Sequence, residues 1–192
     1  MRVIILRFFL IFYAPFAVLQ FSAVVEAGES QLQSKNLDPL FKKLRDARGN
    51  VDAQSAETRL IVAMLQEGSD TQRFMMRGAM LLISKRQLPR ALDILDAILS
   101  LDINYTEGWN KRASVHFLMR SYGKSLADVR QTLAREPRHF GAWLGLGSIY
   151  RNIGEIDLGI TAYETALRLH PNLQPAIEAL KGLYKKRALQ HI

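Results

Sequence analysis

The chain has 192 residues, 48% of them apolar and 23% charged, which is enough for one folded core. It has no cysteine, which excludes disulfides, thiolate metal sites, Cys nucleophiles and a lipid-modified N-terminal Cys. The formal charge of +8 favours acidic partners or surfaces without naming one.

The chain opens as an export signal. Arg2 and Arg7 flank the start, an apolar run follows from Phe8 to Leu19, and "VVEA" places Val25 and Ala27 where a signal peptidase needs small residues. Residues 1–27 are therefore predicted to be a signal peptide cleaved after Ala27. The alternative is an uncleaved anchor, but Gln20 and Ser22 interrupt the apolar stretch, leaving it shorter than the roughly 20 residues a membrane span needs. Residues 28–36, "GESQLQSKN", read as a flexible tail.

Two helical apolar stripes come next, over 37–47 and 52–66, broken by "RGN" at 48–50. They are predicted to form a divergent helix pair within 37–71 that covers the first of the repeated units that follow. From there a period of 34 residues sets in. Met75, Trp109 and Trp143 are 34 apart, as are Ala79, Ala113 and Gly147, and Leu82, His116 and Tyr150. Ala91, Ser125 and Gly159 keep the same spacing and are all small, while Leu95, Val129 and Tyr163 follow four residues later and are all large. Small residues facing each other on two helices let the backbones approach closely, and the large ones fill the flanks. Gly154 falls where a first helix should end in a left-handed residue, Pro89 falls at a helix start, and Thr106 with Glu107 reads as an N-cap. Residues 174–189 make an amphipathic last helix whose outer face carries Lys181, Lys185, Lys186 and Arg187.

The period, with W-x2-L-G-x2-Y, small-x3-large and a closing Pro at 137 and 171, resembles the tetratricopeptide repeat (TPR) family. The units are 72–105, 106–139 and 140–173, the third matching best and the first worst. The resemblance implies an all-α fold: a right-handed α-solenoid of three helix pairs, preceded by the divergent pair and closed by a capping helix and tail at 174–192. It also implies a concave groove lined by the first helix of each pair. Carried onto this chain, the groove positions are Arg73, Met76 and Met80, with Ile83 and Ser84, in unit one. Unit two supplies Glu107, Asn110, Ser114 and Phe117, with Leu118, and unit three Leu144, Ser148, Arg151 and Asn152, with Gly141. Glu178 and Lys185 extend the groove onto the last helix. Chaperone-binding TPR proteins clamp a C-terminal carboxylate with a Lys and Asn set. Met76 and Met80 stand at the matching unit-one positions, which disfavours such tails. Met76, Met80 and Ile83 either line the groove or pack against residues 37–66.

No chemistry-bearing motif accompanies the repeats. His116 has Arg112 and Arg120 four residues away, where a helical metal pair would need ligands, and reads as a packed core residue. His139 and His170 fall in turns and His191 in the tail. "GKS" at 123–125 lacks the glycine a phosphate loop needs, since Leu118 stands there, and it joins two helices. The glycines at 141, 145 and 147 follow no strand. No Ser nucleophile elbow is present. The expectation is no enzyme, no cofactor and no metal. The partner is a protein or peptide, not nucleic acid, and membrane only if the N-terminal segment stays uncleaved. Together with the resemblance to small exported TPR proteins of Gram-negative bacteria, this points to a periplasmic or secreted interaction scaffold. An inner-membrane-anchored assembly adaptor and a basic surface for an acidic polymer remain as alternatives.

Overall fold

The structure, a computed structural model, describes residues 37–189; the predicted signal peptide and the tail at 28–36 lie outside the described residues. Nine helices follow one another there, with no strand among the described residues. They are α1 (Asp38–Arg45), α2 (Gly49–Gln66), α3 (Asp70–Ser84), α4 (Leu88–Leu101), α5 (Thr106–Leu118), α6 (Tyr122–Arg135), α7 (Phe140–Ile153), α8 (Ile156–Leu169) and α9 (Gln174–Leu189). Helices α3–α4, α5–α6 and α7–α8 pack as successive pairs, and α9 lies against α8.

Local chemistry sets several boundaries. Helix α3 opens with a capping box: the Ser69 hydroxyl accepts from the Gln72 N–H, and the Gln72 amide oxygen accepts from the Ser69 N–H. Pro39 and Pro89 sit in the first turns of α1 and α4, where a missing N–H costs nothing. The first helix of each pair ends at a left-handed residue. Arg86 has φ 59, Arg120 φ 57 and Gly154 φ 89, each 34 residues after the last. Only Gly154 adopts that conformation without a Cβ penalty. One expected cap is corrected. Thr106 is the first helical residue of α5 rather than its N-cap; Tyr105 holds that place and caps with no side-chain bond.

The small residues do bring the paired helices together. The Ser125 hydroxyl donates to the Ala113 carbonyl across α5 and α6 at 2.8 Å. In the third pair, a Cβ on Gly159 would lie 3.5 Å from the Gly147 carbonyl oxygen. What most constrains Gly147 is Tyr163: a Cβ there would come within 2.7 Å of the buried tyrosine ring. The third pair places this large ring where the first two place Leu95 and Val129 opposite Ala79 and Ala113. A larger side chain on one helix goes with a smaller one on the other.

The N-terminal pair departs from expectation in its position. It does not stack on α3. Leu37, Phe41, Leu44, Ala56, Leu60 and Met64 join one core cluster with Phe140, Tyr163, Leu173 and Leu183 of the third pair and α9. The chain thus folds back: the turn before α2 meets the turn before α9, where the Asn172 amide donates to the Ala47 carbonyl. The end of α2 meets the turn before α5, where the Tyr105 hydroxyl donates to the Leu65 carbonyl at 2.9 Å. Eighteen residues of helix, about 27 Å long, cover that distance. Arg138 pins α1, pairing with Asp38 at 2.6 Å and lying 4.3 Å from the centre of the Phe41 ring.

Candidate functional site

The consequence of the fold-back is a cleft. Helix α2 passes the first turns of α5 and α7 and the turn leading into α9, leaving about 530 Å³ between them. Ala53, Ile61 and Met64 contribute from α2; Glu107 and Asn110 from α5; Phe140 and Leu144 from α7. Glu107, Asn110, Gly141 and Leu144, which the repeat pattern assigned to the groove, are thereby brought together on one side.

At the base of the cleft lies a buried polar pair. The repeat places a turn residue before each first helix, and Tyr105, His139 and Leu173 are all buried there. His139 uses both ring nitrogens. Nδ1 accepts from the Ala142 N–H at 3.0 Å and so caps α7, while Nε2 lies 2.9 Å from Glu107 Oε1. Accepting at Nδ1 puts the proton on Nε2, which donates to the carboxylate. Asn110 donates to the other oxygen of Glu107 at 3.1 Å, and Lys111 approaches it at 3.6 Å. Burial by itself would push the Glu107 carboxyl up. The hydrogen bond from His139, then the Lys111 charge and the Asn110 amide, overcome that and hold it down at about 2. A fully buried charge is tolerated because each oxygen has a partner.

A second such pair closes the far end. His170 Nε2 lies 3.2 Å from Glu57 Oε2, tying α2 to the turn before α9, and the His170 ring meets Phe140 edge-on at 5.2 Å. Neither partnership was visible in the sequence. His139 carried a signal, its repeat-equivalence to Tyr105 and Leu173. Glu57 carried none, since it meets His170 across more than a hundred residues. His116 is half-buried, with its Nε2 3.8 Å from Asp128; burial, more than any charge, pushes its pKa down. Among the described residues, no group of three or more His, Asp or Glu could hold a metal ion.

The other groove positions divide. Met76 is corrected: it is 2% exposed and packs in the core of the first pair with Ala79, Leu95 and Tyr105, because its helix turns that face toward α4 and α5. Met80 stays 41% exposed, one turn further on. Arg73 is tied down at the α2 terminus, donating to the carbonyls of Gly68 at 2.6 Å and Gln66 at 3.3 Å and pairing with Asp70. Glu107 is buried as a structural acceptor rather than presented on the groove surface. Ser114 is exposed and Phe117 half-buried against Tyr122, with ring centres 5.6 Å apart. Ser148 bonds to the Tyr163 hydroxyl at 3.1 Å, and Asn152 accepts from the Tyr122 hydroxyl at 3.2 Å. Arg151 is exposed. The groove is thus enclosed by α2 along its first turns, while Ser114, Arg151 and Asn152 lie exposed further along.

Repeated helix pairs stacked in register, with small residues at their contact and a cleft beside the first helices, define a helical-repeat solenoid. No family model matches the chain. A TPR repeat-containing protein of Rhizobium etli is 34% identical over 165 residues, covering 86% of this chain and 81% of that relative. This chain belongs to the TPR repeat-containing proteins. Among solved structures, the first TPR of Spaghetti (RPAP3) bound to the HSP90 peptide SRMEEVD superposes with a TM-score of 0.60 at 17% identity, covering 63% of this chain and 96% of that one. The Yersinia enterocolitica type III secretion chaperone SycD, in complex with a peptide of the translocator YopD, gives a TM-score of 0.58 at 13% identity, covering 64% and 98%. At these identities the likeness is one of fold.

Proposed function

We propose that this protein is a non-catalytic interaction module that receives a polypeptide segment in the cleft between α2 and the first turns of α5 and α7. The observation that carries the reading is the cleft itself: about 530 Å³, with an apolar wall from Ile61, Met64, Phe140 and Leu144 set among convergent polar side chains. Fold neighbours that hold peptides support it. On this reading Asn110 and Leu144 contact the bound segment, and Ser114, Phe117, Ser148, Arg151, Asn152 and Met80 extend the contact along the open part of the groove. The place of action we propose is the bacterial envelope, most simply the periplasm. The support is sequence alone: Arg2, Arg7, the apolar run from Phe8 and the small residues Val25 and Ala27.

Crosslinked capture from intact cells, comparing the native chain with the Asn110→Ala/Arg151→Ala variant, tests the reading. The expected result is loss of a specific polypeptide partner from a variant that keeps its helical circular dichroism. An unchanged set of partners would place the contact outside the groove. The mass of the protein recovered from cells tests the location. A chain starting at Gly28 fits export and cleavage, whereas a full-length chain in the membrane fraction fits an anchored adaptor.

A further inference from the structure

We infer that the cleft selects a short, extended, non-acidic polypeptide segment, and refuses both a partner helix and an acidic chain end. This rests on the reading of the cleft as a polypeptide site and sharpens it. Three observations carry it.

The first is occupancy. Helix α2 already lies along the first turns of α5 and α7, on the face of the repeats where a partner helix would seat. The helix-sized place is occupied by the chain's own helix, and what remains suits a few residues of extended backbone.

The second is the kind of polar group. Asn50, Gln54, Asn110, Asn172 and Gln174 all line the cleft, so five carboxamides surround one space. A carboxamide donates and accepts at once and matches a peptide group without introducing charge. The amide nitrogens of Asn110 and Asn172 are already engaged, with Glu107 and the Ala47 carbonyl. Their oxygens keep lone pairs for a ligand N–H. Ile61, Met64, Phe140, Leu144 and Leu173 supply apolar wall for a side chain.

The third is the sign of the charge. Glu57 and Glu107 both line the cleft, and Lys111, the one lysine there, is drawn to Glu107 at 3.6 Å. A terminal carboxylate or a run of acidic side chains would meet the Glu57 carboxylate, with the Glu107 charge buried beneath it, in a partly desolvated space where like charges repel more than in water. In this the cleft differs from a site made for acidic tails.

The test pans the full chain against two random heptapeptide libraries, one acetylated and amidated, the other ending in a free Asp carboxylate, with the acidic heptapeptide SRMEEVD as a further probe. The expected binders come from the capped library, are poor in Asp and Glu, tolerate Pro, and lose at least tenfold in affinity with Asn110→Ala. Glu57→Gln should narrow the gap between capped and acid-ended peptides severalfold, since glutamine still bonds His170 but carries no charge. Binders that are acid-ended, or that carry apolar residues at helical spacing without Pro, and that still depend on Asn110 would overturn this inference and leave the cleft reading standing. Binders indifferent to Asn110→Ala, or none from either library, would overturn the cleft reading itself.

Discussion

The two ends of the solenoid are finished in different ways. At the C-terminal end, α9 lies on α8, buries Ala176 and Leu183, and brings Leu183 so close to Gly159 that a Cβ there would sit 3.0 Å from it. At the other end, no described helix lies over the outer side of α3, where Phe74 is 70% exposed and Leu81 54%. The pair that chain order placed there, α1–α2, lies on the third repeat instead. The difference teaches that adjacency in sequence does not decide what caps a repeat. Leu37, Phe41, Leu44 and Leu60 are buried in one cluster with Phe140 and Leu173, and each such side chain contributes up to roughly 1.5–3 kcal/mol when removed from water. That apolar gain, added to the bonds from Arg138, Asn172 and Tyr105, outweighs covering Phe74 and Leu81.

The comparison can be broken most severely at the buried pair beneath the folded-back helix. His139→Ala removes the cap of α7 and leaves the Glu107 carboxylate buried without its main partner, which should cost about 3–5 kcal/mol in urea unfolding. The same pair sets an acid limb. Glu107 has its pKa lowered from 4.5 to about 2 on folding, so its contribution is present above pH 4.5 and is lost as pH falls toward 2. Unfolding free energies between pH 5 and 2.5 should fall less steeply in Glu107→Gln than in the native chain; parallel slopes would remove Glu107 from the account.

At the sealed end, Leu183→Ala should cost about 2–4 kcal/mol, because the cavity left between α8 and α9 can collapse only in part. Gly147→Ala drives a methyl into the Tyr163 ring and should lower stability by roughly 1–3 kcal/mol, read as a lower melting midpoint; an unchanged midpoint would show that the ring moves aside freely. Arg120→Gly should act in the opposite direction and stabilise by about 1 kcal/mol, since Arg120 holds a left-handed backbone that Gly154 adopts without penalty. At the open end, Phe74→Ser should change stability by less than about 0.5 kcal/mol. A large loss there would mean that the face is covered in solution and that the two ends are more alike than the structure describes.

Much of the fold was legible because a repeat writes its packing rules more than once. Ala113 with Ser125, and Gly147 with Gly159, announce a close helix contact by size alone, and Gly154 announces a helix end by its lack of a Cβ. The groove was legible only as a direction. The resemblance to the TPR family put Met76 and Glu107 on the groove side, but a position within a repeat cannot say how far a face rotates toward its neighbours. Met76 turned into the core, and Glu107 met a histidine 32 residues on.

By itself, then, the sequence determined the helices, their pairing and the register of small against large residues, because these depend on contacts within 34 residues that recur along the chain. Only the tertiary structure decided where α1 and α2 go, and with them the cleft. Their apolar stripes specify that they must be buried, not against what. The choice of the third repeat rests on shape, on the Glu57–His170 and Asp38–Arg138 pairs, and on contacts across about a hundred residues that no local pattern encodes.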